Sequence, residues 1–74
     1  MRNPKQYDSV ALLEDLPEEN LWRGQVGVLV EVYNEGEAFE VEFIDTSGQT
    51  YGLLTLRPKQ FMVLSRESSD RIAA

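Results

Sequence analysis

The sequence predicts a small all-β domain built from five short strands. Valine recurs at every second position between residues 26 and 32, and apolar residues alternate with acidic ones, with one break, between residues 39 and 45. Glycine or proline separates most of the apolar segments. Period-two patterns place alternate side chains on opposite faces of an extended chain. A chain of 74 residues allows one domain with a compact core.

The first predicted strand lies within residues 7–13, whose apolar run is too short for a helix. Pro17 ends this region, because it fixes its own φ and disfavours helical backbone at Leu16. Residues 17–20 can form one helical turn with proline at its first position. Leu16, Leu21 and Trp22 are too apolar for a free loop, so we expect some of them to cover the core.

The second predicted strand, residues 26–33, is the longest and the most rich in β-branched residues. Its even positions, which we expect to face the core, are Val26, Val28, Val30 and Val32. Gly24 is expected to supply a positive φ in the preceding turn. Gly27 lies inside the strand pattern and predicts a bulge or a sharp bend there.

Two hairpins follow. Residues 34–38, with Gly36 at their centre, lead into a third strand over residues 39–45, in which Phe39, Val41 and Phe43 face the core. Residues 46–49, with Gly48, lead into a fourth strand over residues 51–56. Proline at position 58 ends that strand, a 3₁₀ turn is expected there, and residues 61–64 form the fifth.

This order of strands is the layout of an SH3-like barrel, in which the sheet curls on itself and removes exposed edges. An OB-fold also has five strands but usually places a helix between the third and fourth, for which the chain leaves little room. We therefore predict an SH3-like barrel over residues 7–65. Residues 1–6 are predicted to form a flexible arm and residues 66–74 a flexible tail.

The predicted barrel is strongly acidic. Residues 7–65 contain three basic and eleven acidic residues, so three minus eleven gives a net charge of −8. Such a surface repels phosphate backbones and attracts basic partners, although the charge can also serve only to keep a small protein soluble.

Composition also limits the kinds of catalysis and cross-linking that the chain can support. The chain has no cysteine and no histidine, which excludes thiol catalysis, histidine bases and disulfides. The carboxylate pairs Glu18–Glu19 and Glu40–Glu42 fit a solubilising surface better than an acid–base pair. We expect no enzyme activity, no cofactor and no metal site. No apolar run is long enough to span a membrane, and a cytoplasmic location is expected.

Aromatic side chains commonly anchor protein interfaces, and nearby acids can steer a basic partner. On this basis we predict a partner-binding surface made of Glu14, Asp15, Leu16, Glu18, Glu19, Trp22, Arg23 and Tyr33. The ordinary alternative is that Trp22 covers the end of the barrel and Tyr33 packs at a hairpin end.

The segments Asp8-x-Val10-x-Leu12-x-Glu14-Asp15-Leu16-Pro17 and Leu21-x-Arg23-Gly24-Gln25-Val26-Gly27 resemble the opening of the bacterial family of domains of unknown function numbered 4926. The resemblance continues through Val30-x-Val32-Tyr33, Glu40-Val41-Glu42-Phe43 and Leu53-Leu54-Thr55-Leu56, and it spans nearly all of residues 7–64. It implies a free-standing SH3-like barrel without catalytic residues, loosely associated with toxin–antitoxin gene pairs. Residues 23–30 are also similar to the glycine-centred motif of KOW domains, and the barrel has a distant likeness to the SH3-like domain of the nitrile hydratase β subunit.

These observations favour a non-enzymatic module that binds a basic protein, in the manner of an antitoxin. Two alternatives stay open: a KOW-like nucleic-acid or ribosome-associated module, and an accessory subunit of an enzyme. The shortage of basic residues makes nucleic acid the less favoured ligand. A homo-oligomer is compatible with the sequence.

Overall fold

The structure, a computed structural model, describes residues 3–44, 47 and 50–65. Within them the chain forms five strands and no α-helix: β1 (Ser9–Leu12), β2 (Val26–Tyr33), β3 (Ala38–Ile44), β4 (Thr50–Leu56) and β5 (Phe61–Ser65). Single 3₁₀ turns, Pro17–Glu19 and Pro58–Gln60, precede β2 and β5. No helix among these residues has the length and apolar character that crossing a membrane requires.

All five strands belong to one antiparallel sheet in the order β4-β3-β2-β1-β5. In a flat sheet β3 and β5 would lie about 14 Å apart, three strand spacings. The rings of Phe39 on β3 and Phe61 on β5 are nevertheless only 5.2 Å apart, edge to face. The sheet therefore curls around its core, and the predicted five-stranded SH3-like barrel is confirmed. β3 ends at Ile44 and β4 begins at Thr50, which leaves no room for the helix of an OB-fold.

The core lies inside this curl and draws on β1 to β5 and the loop before β2. Phe39, Val41 and Phe43 are fully buried, as their alternation with Glu40 and Glu42 predicts. The other buried members of the core are Val10, Leu12, Leu21, Leu29, Leu56 and Phe61.

The prediction that the even positions of β2 face the core is wrong for Val26, Val28 and Val30. Gly27 and Leu29 are buried, whereas Val26 is 52% exposed and Val28 and Val30 are half-buried. The pairing with β3 shifts between Leu29 and Glu31, so Val30 has no register partner. This bulge reverses the alternation, because one unpaired residue exchanges the faces of all residues after it. Val32, beyond the bulge, pairs with the buried Phe39.

The bend predicted at Gly27 thus lies at Val30. Gly27 instead allows a close contact between β2 and β3. A Cβ atom at Gly27 would stand 2.8 Å from the carbonyl oxygen of Glu42, 2.9 Å from Val41 Cγ1 and 3.0 Å from Phe43 Cδ1. Only glycine lets β2 approach β3 this closely. Gly24 has the positive φ expected of its turn, +92°.

The ends of the chain lie partly outside the described residues. Of the predicted arm, Lys5 donates its backbone N–H to Asp8 Oδ2 at 2.8 Å, and Gln6 Nε2 donates to the carbonyl oxygen of Val30 at 3.0 Å. Asp8 is the one buried charged residue among the described residues. The predicted tail over residues 66–74, the start of the arm at residues 1–2, and Gly48 all lie outside the described residues.

Replacing Gly27 with alanine should lower the free energy of unfolding by about 1–3 kcal/mol, because a single Cβ overpacks the β2–β3 contact. Thermal or urea unfolding measures the loss. The matched control is Gly52→Ala on β4, where a Cβ would meet only Leu54 Cδ1, at an ordinary 3.8 Å. Equal stability of the two variants would contradict the close approach at Gly27.

Candidate functional site

The predicted partner-binding residues lie mainly in one loop between β1 and β2, here called the acidic loop, residues 14–23. Leu16 and Leu21 form a β-bridge across its base, with N···O distances of 2.9 and 3.2 Å. The 3₁₀ turn Pro17–Glu19 fills the tip and ends at Asn20, whose φ of 59° is left-handed. Leu21 is buried and Leu16 packs against the core, so the expected apolar cover is confirmed for both.

Side-chain hydrogen bonds hold the two arms of the acidic loop. Asp15 Oδ1 accepts the backbone N–H of Arg23 at 2.8 Å. Glu14 Oε2 accepts a hydrogen bond from Gln60 Nε2 at 3.0 Å, which ties the loop to the 3₁₀ turn before β5. The backbone N–H of Trp22 donates to Gln25 Oε1 at 2.6 Å. The loop is thus fixed at its base, at both arms and at its exit.

The charged side chains of this fixed loop remain at the surface. All of its ionisable residues are exposed, namely Glu14, Asp15, Glu18, Glu19 and Arg23. Trp22 is 47% exposed, so it does not close the end of the barrel. The loop therefore presents four carboxylates, one guanidinium and one indole to solvent on a backbone that these hydrogen bonds hold.

Tyr33 is not part of this surface. It lies at the far end of β2, about 20 Å along the strand from Val26. There it pairs with Ala38, on the same face as the neighbouring pair Glu31 and Glu40. Like charges directly opposite one another in a sheet are repulsive. The structure separates the eight predicted residues into an acidic loop and a distant tyrosine beside two carboxylates.

The environment of Tyr33 raises the pKa of its phenol. Desolvation by neighbouring groups is the largest cause, followed by the negative charges of Glu40 and Glu31. Glu40 is itself held in place, since Thr55 Oγ1 donates a hydrogen bond to its Oε1 at 2.8 Å. This end of the sheet has a negative field that disfavours a further anion.

Sequence reasoning missed two features of the site. Gln60 joins the acidic loop to the β4–β5 connection: its Nε2 bonds to Glu14, and its Oε1 accepts the backbone N–H of Arg57 at 2.7 Å. Val26 and Met62 are apolar yet about half exposed on the outside of the barrel beside the loop. No local pattern marks Gln60. The apolar residues on both faces of β2, by contrast, are a signal in the sequence that some of them, such as Val26, are exposed.

A pocket of about 370 Å³ opens between the β2–β3 hairpin, the N-terminal segment and the 3₁₀ turn before β5. Its lining residues are Asn3, Pro4, Val32, Glu35, Gly36, Phe39 and Pro58. Glu35 is the single ionisable group among them, so this pocket lacks the paired acid and base of a hydrolytic site. Within the described part of the chain, no group of three or more acidic residues is arranged to hold a metal ion.

The fold and the exposed loop define a small acidic SH3-like barrel whose β1–β2 loop is held by hydrogen bonds. A family model described as a domain of unknown function (DUF4926) matches residues 6–63. The chain belongs to this family, as the resemblance of its first two strands predicts. No curated protein and no solved structure matches the chain significantly.

Replacing Glu40 with glutamine should lower the pKa of Tyr33 towards its ordinary value of 10.0, because one negative neighbour is removed. In the parent protein the folded state keeps the phenolic proton at pH values where the unfolded chain has lost it. The stability that Tyr33 contributes is therefore complete below its ordinary pKa and lost as the pH rises through the raised one.

The absorbance of ionised tyrosine during alkaline titration, taken as the difference from Tyr33→Phe, measures this pKa. Glu18→Gln, in the acidic loop, is the matched control and should leave the titration of Tyr33 unchanged. An identical Tyr33 titration in Glu40→Gln and the parent protein would disprove the electrostatic contribution.

Proposed function

We propose that this protein is a non-enzymatic binding module whose acidic loop binds a basic protein, as an antitoxin binds its toxin. The observation that carries the proposal is the acidic loop itself. Four exposed carboxylates and an exposed tryptophan stand on a backbone that hydrogen bonds already fix. Pre-organisation of this kind lowers the entropy that a binding surface loses when a partner docks.

The charge distribution supports a basic partner. Among the described residues, nine of ten carboxylates are exposed or half-buried, and Asp8 is the exception. Four basic residues accompany them: Lys5, Arg23, Arg57 and Lys59. A surface with this excess accelerates encounter with a positively charged protein and repels phosphate backbones. The same balance favours a protein partner over the KOW-like alternative of a nucleic acid.

The placement of the carboxylates supports a binding role rather than a catalytic one. Acid–base catalysis by carboxyl groups requires a pair that converges on a substrate in a cleft. Glu18 and Glu19 stand instead at the tip of an exposed loop. The chain also offers no thiol or imidazole as nucleophile or base. We place this binding role in the cytoplasm.

Affinity purification of the full chain from its native host should recover a basic protein, whose retention falls as salt screens the charges. Glu18 and Glu19 have exposed side chains outside the core, so Glu18→Gln with Glu19→Gln should fold normally. We expect this double variant to bind the recovered protein about tenfold more weakly, because two steering charges at the interface are lost.

The matched control is Glu35→Gln with Glu37→Gln, which removes the same charge from the exposed β2–β3 hairpin. It should retain affinity within about twofold if the acidic loop is the interface. Equal weakening by both variants would assign the effect to net charge alone. Recovery of only the free chain, or tighter binding to RNA at low salt than to any protein, would refute the proposed function.

A further inference from the structure

The outside of the barrel has a continuous uncharged face beside the acidic loop. It is formed by β1, β5 and the first half of β2, segments that contain no charged residue. Antiparallel sheets with one face on the core usually carry polar residues on the other. Here the outward positions are occupied by Ser9, Ala11, Leu13, Val26, Val28, Met62 and Leu64.

The shape of this face is a shallow groove along β1. Ala11 pairs with Val26 on one side and with Met62 on the other, so the three side chains form one row. Ala11 is only 8% exposed, whereas Val26 is 52% and Met62 49% exposed. The small residue thus forms a floor between two larger walls about 10 Å apart, two strand spacings. We call this feature the outer groove.

Acidic residues border the outer groove on two sides. Leu13, 43% exposed, stands at one end of the groove, and Glu14 and Asp15 follow it directly. On the long side, Val28 pairs with Glu42 of β3. Arg23, Arg57 and Lys59 are the cations nearest this border in the chain, against the four carboxylates of the acidic loop, and Arg57 directs its Nη1 to the carbonyl oxygen of Glu37 in the β2–β3 hairpin. The groove therefore combines an apolar centre with a net negative border.

We propose that the outer groove binds apolar side chains of the basic partner, while the acidic loop pairs with lysine or arginine residues beside them. This inference rests on the proposed function and specifies the recognised chemistry: an apolar segment flanked by cations. Burial of Val26 and Met62 supplies affinity through the hydrophobic effect, and the acidic border supplies orientation and specificity.

A second copy of the chain fits this face less well. In a two-fold symmetric dimer the same patch meets itself, so the acidic border of one groove would face the acidic border of the other. Such juxtaposed like charges oppose association. A partner with an apolar centre and a basic border satisfies both parts of the surface.

The test is a titration of the full chain, isotope-labelled, with a short peptide in which leucine alternates with lysine, followed by NMR. The amide signals of Ala11, Val26 and Met62 should shift together with those of the acidic loop. Val26→Thr with Met62→Gln keeps the side-chain sizes but makes the walls polar. This double variant should weaken binding about tenfold, as loss of a buried apolar anchor does.

Leu53→Gln is the matched control, because Leu53 is similarly exposed, at 56%, but lies on β4, two strands from the β2 wall of the groove and on the far side of Glu42. It should change the affinity less than about twofold. A peptide of lysine alone should bind more weakly and shift only the acidic loop, and one that alternates leucine with glutamate should not bind.

Signal changes confined to the acidic loop, with no effect of the Val26→Thr and Met62→Gln pair, would overturn the outer groove and leave the proposed function intact. Concentration-dependent dimerisation that this pair abolishes would show that a second copy occupies the groove instead. Absence of binding by both cationic peptides would overturn the inference about the groove. The proposed function would still be decided separately, by whether affinity purification recovers a basic protein from the host.

Discussion

The break in register at Val30 is the constraint on which both the interior and the surface of this barrel depend. Before the break, Gly27 and Leu29 face the core; after it, Val32 lies opposite the buried Phe39. An unbroken strand would place either Leu29 or Val32 on the wrong face. The same break leaves Val26 and Val28 on the outside. One unpaired residue therefore lets Leu29 enter the core while Val32 pairs with Phe39, and it also leaves Val26 as one wall of the outer groove.

The sequence was sufficient to predict the strands but not every face. β3 was predicted correctly because its glutamates mark the outer face without ambiguity. β2 has apolar residues on both faces, so its alternation identifies a strand without showing which side is buried. Which face of β2 is buried depends on where β2 shifts against β3 and on how closely Gly27 approaches Val41 and Phe43. These are contacts between residues distant in the chain, which no local pattern encodes.

The candidate site likewise has one part that the sequence predicts and another part that depends on contacts between distant residues. The turn at Pro17 and the inward placement of Leu16 and Leu21 follow from short-range chemistry, and the structure contains both. The bond between Gln60 and Glu14 spans 46 residues, and it holds the loop against the β4–β5 connection. Tyr33 belongs to a separate surface for a related reason, since the length of β2 carries it to the end of that strand away from the acidic loop.

The position of Trp22 gives the molecule a built-in spectroscopic probe. It is the one tryptophan in the chain, it is 47% exposed, and it lies in the acidic loop. Indole emission moves to shorter wavelength when water is displaced from the ring. A ligand that covers this loop is therefore visible in the emission spectrum of the unlabelled protein, whereas one that binds only near Tyr33 leaves the spectrum unchanged.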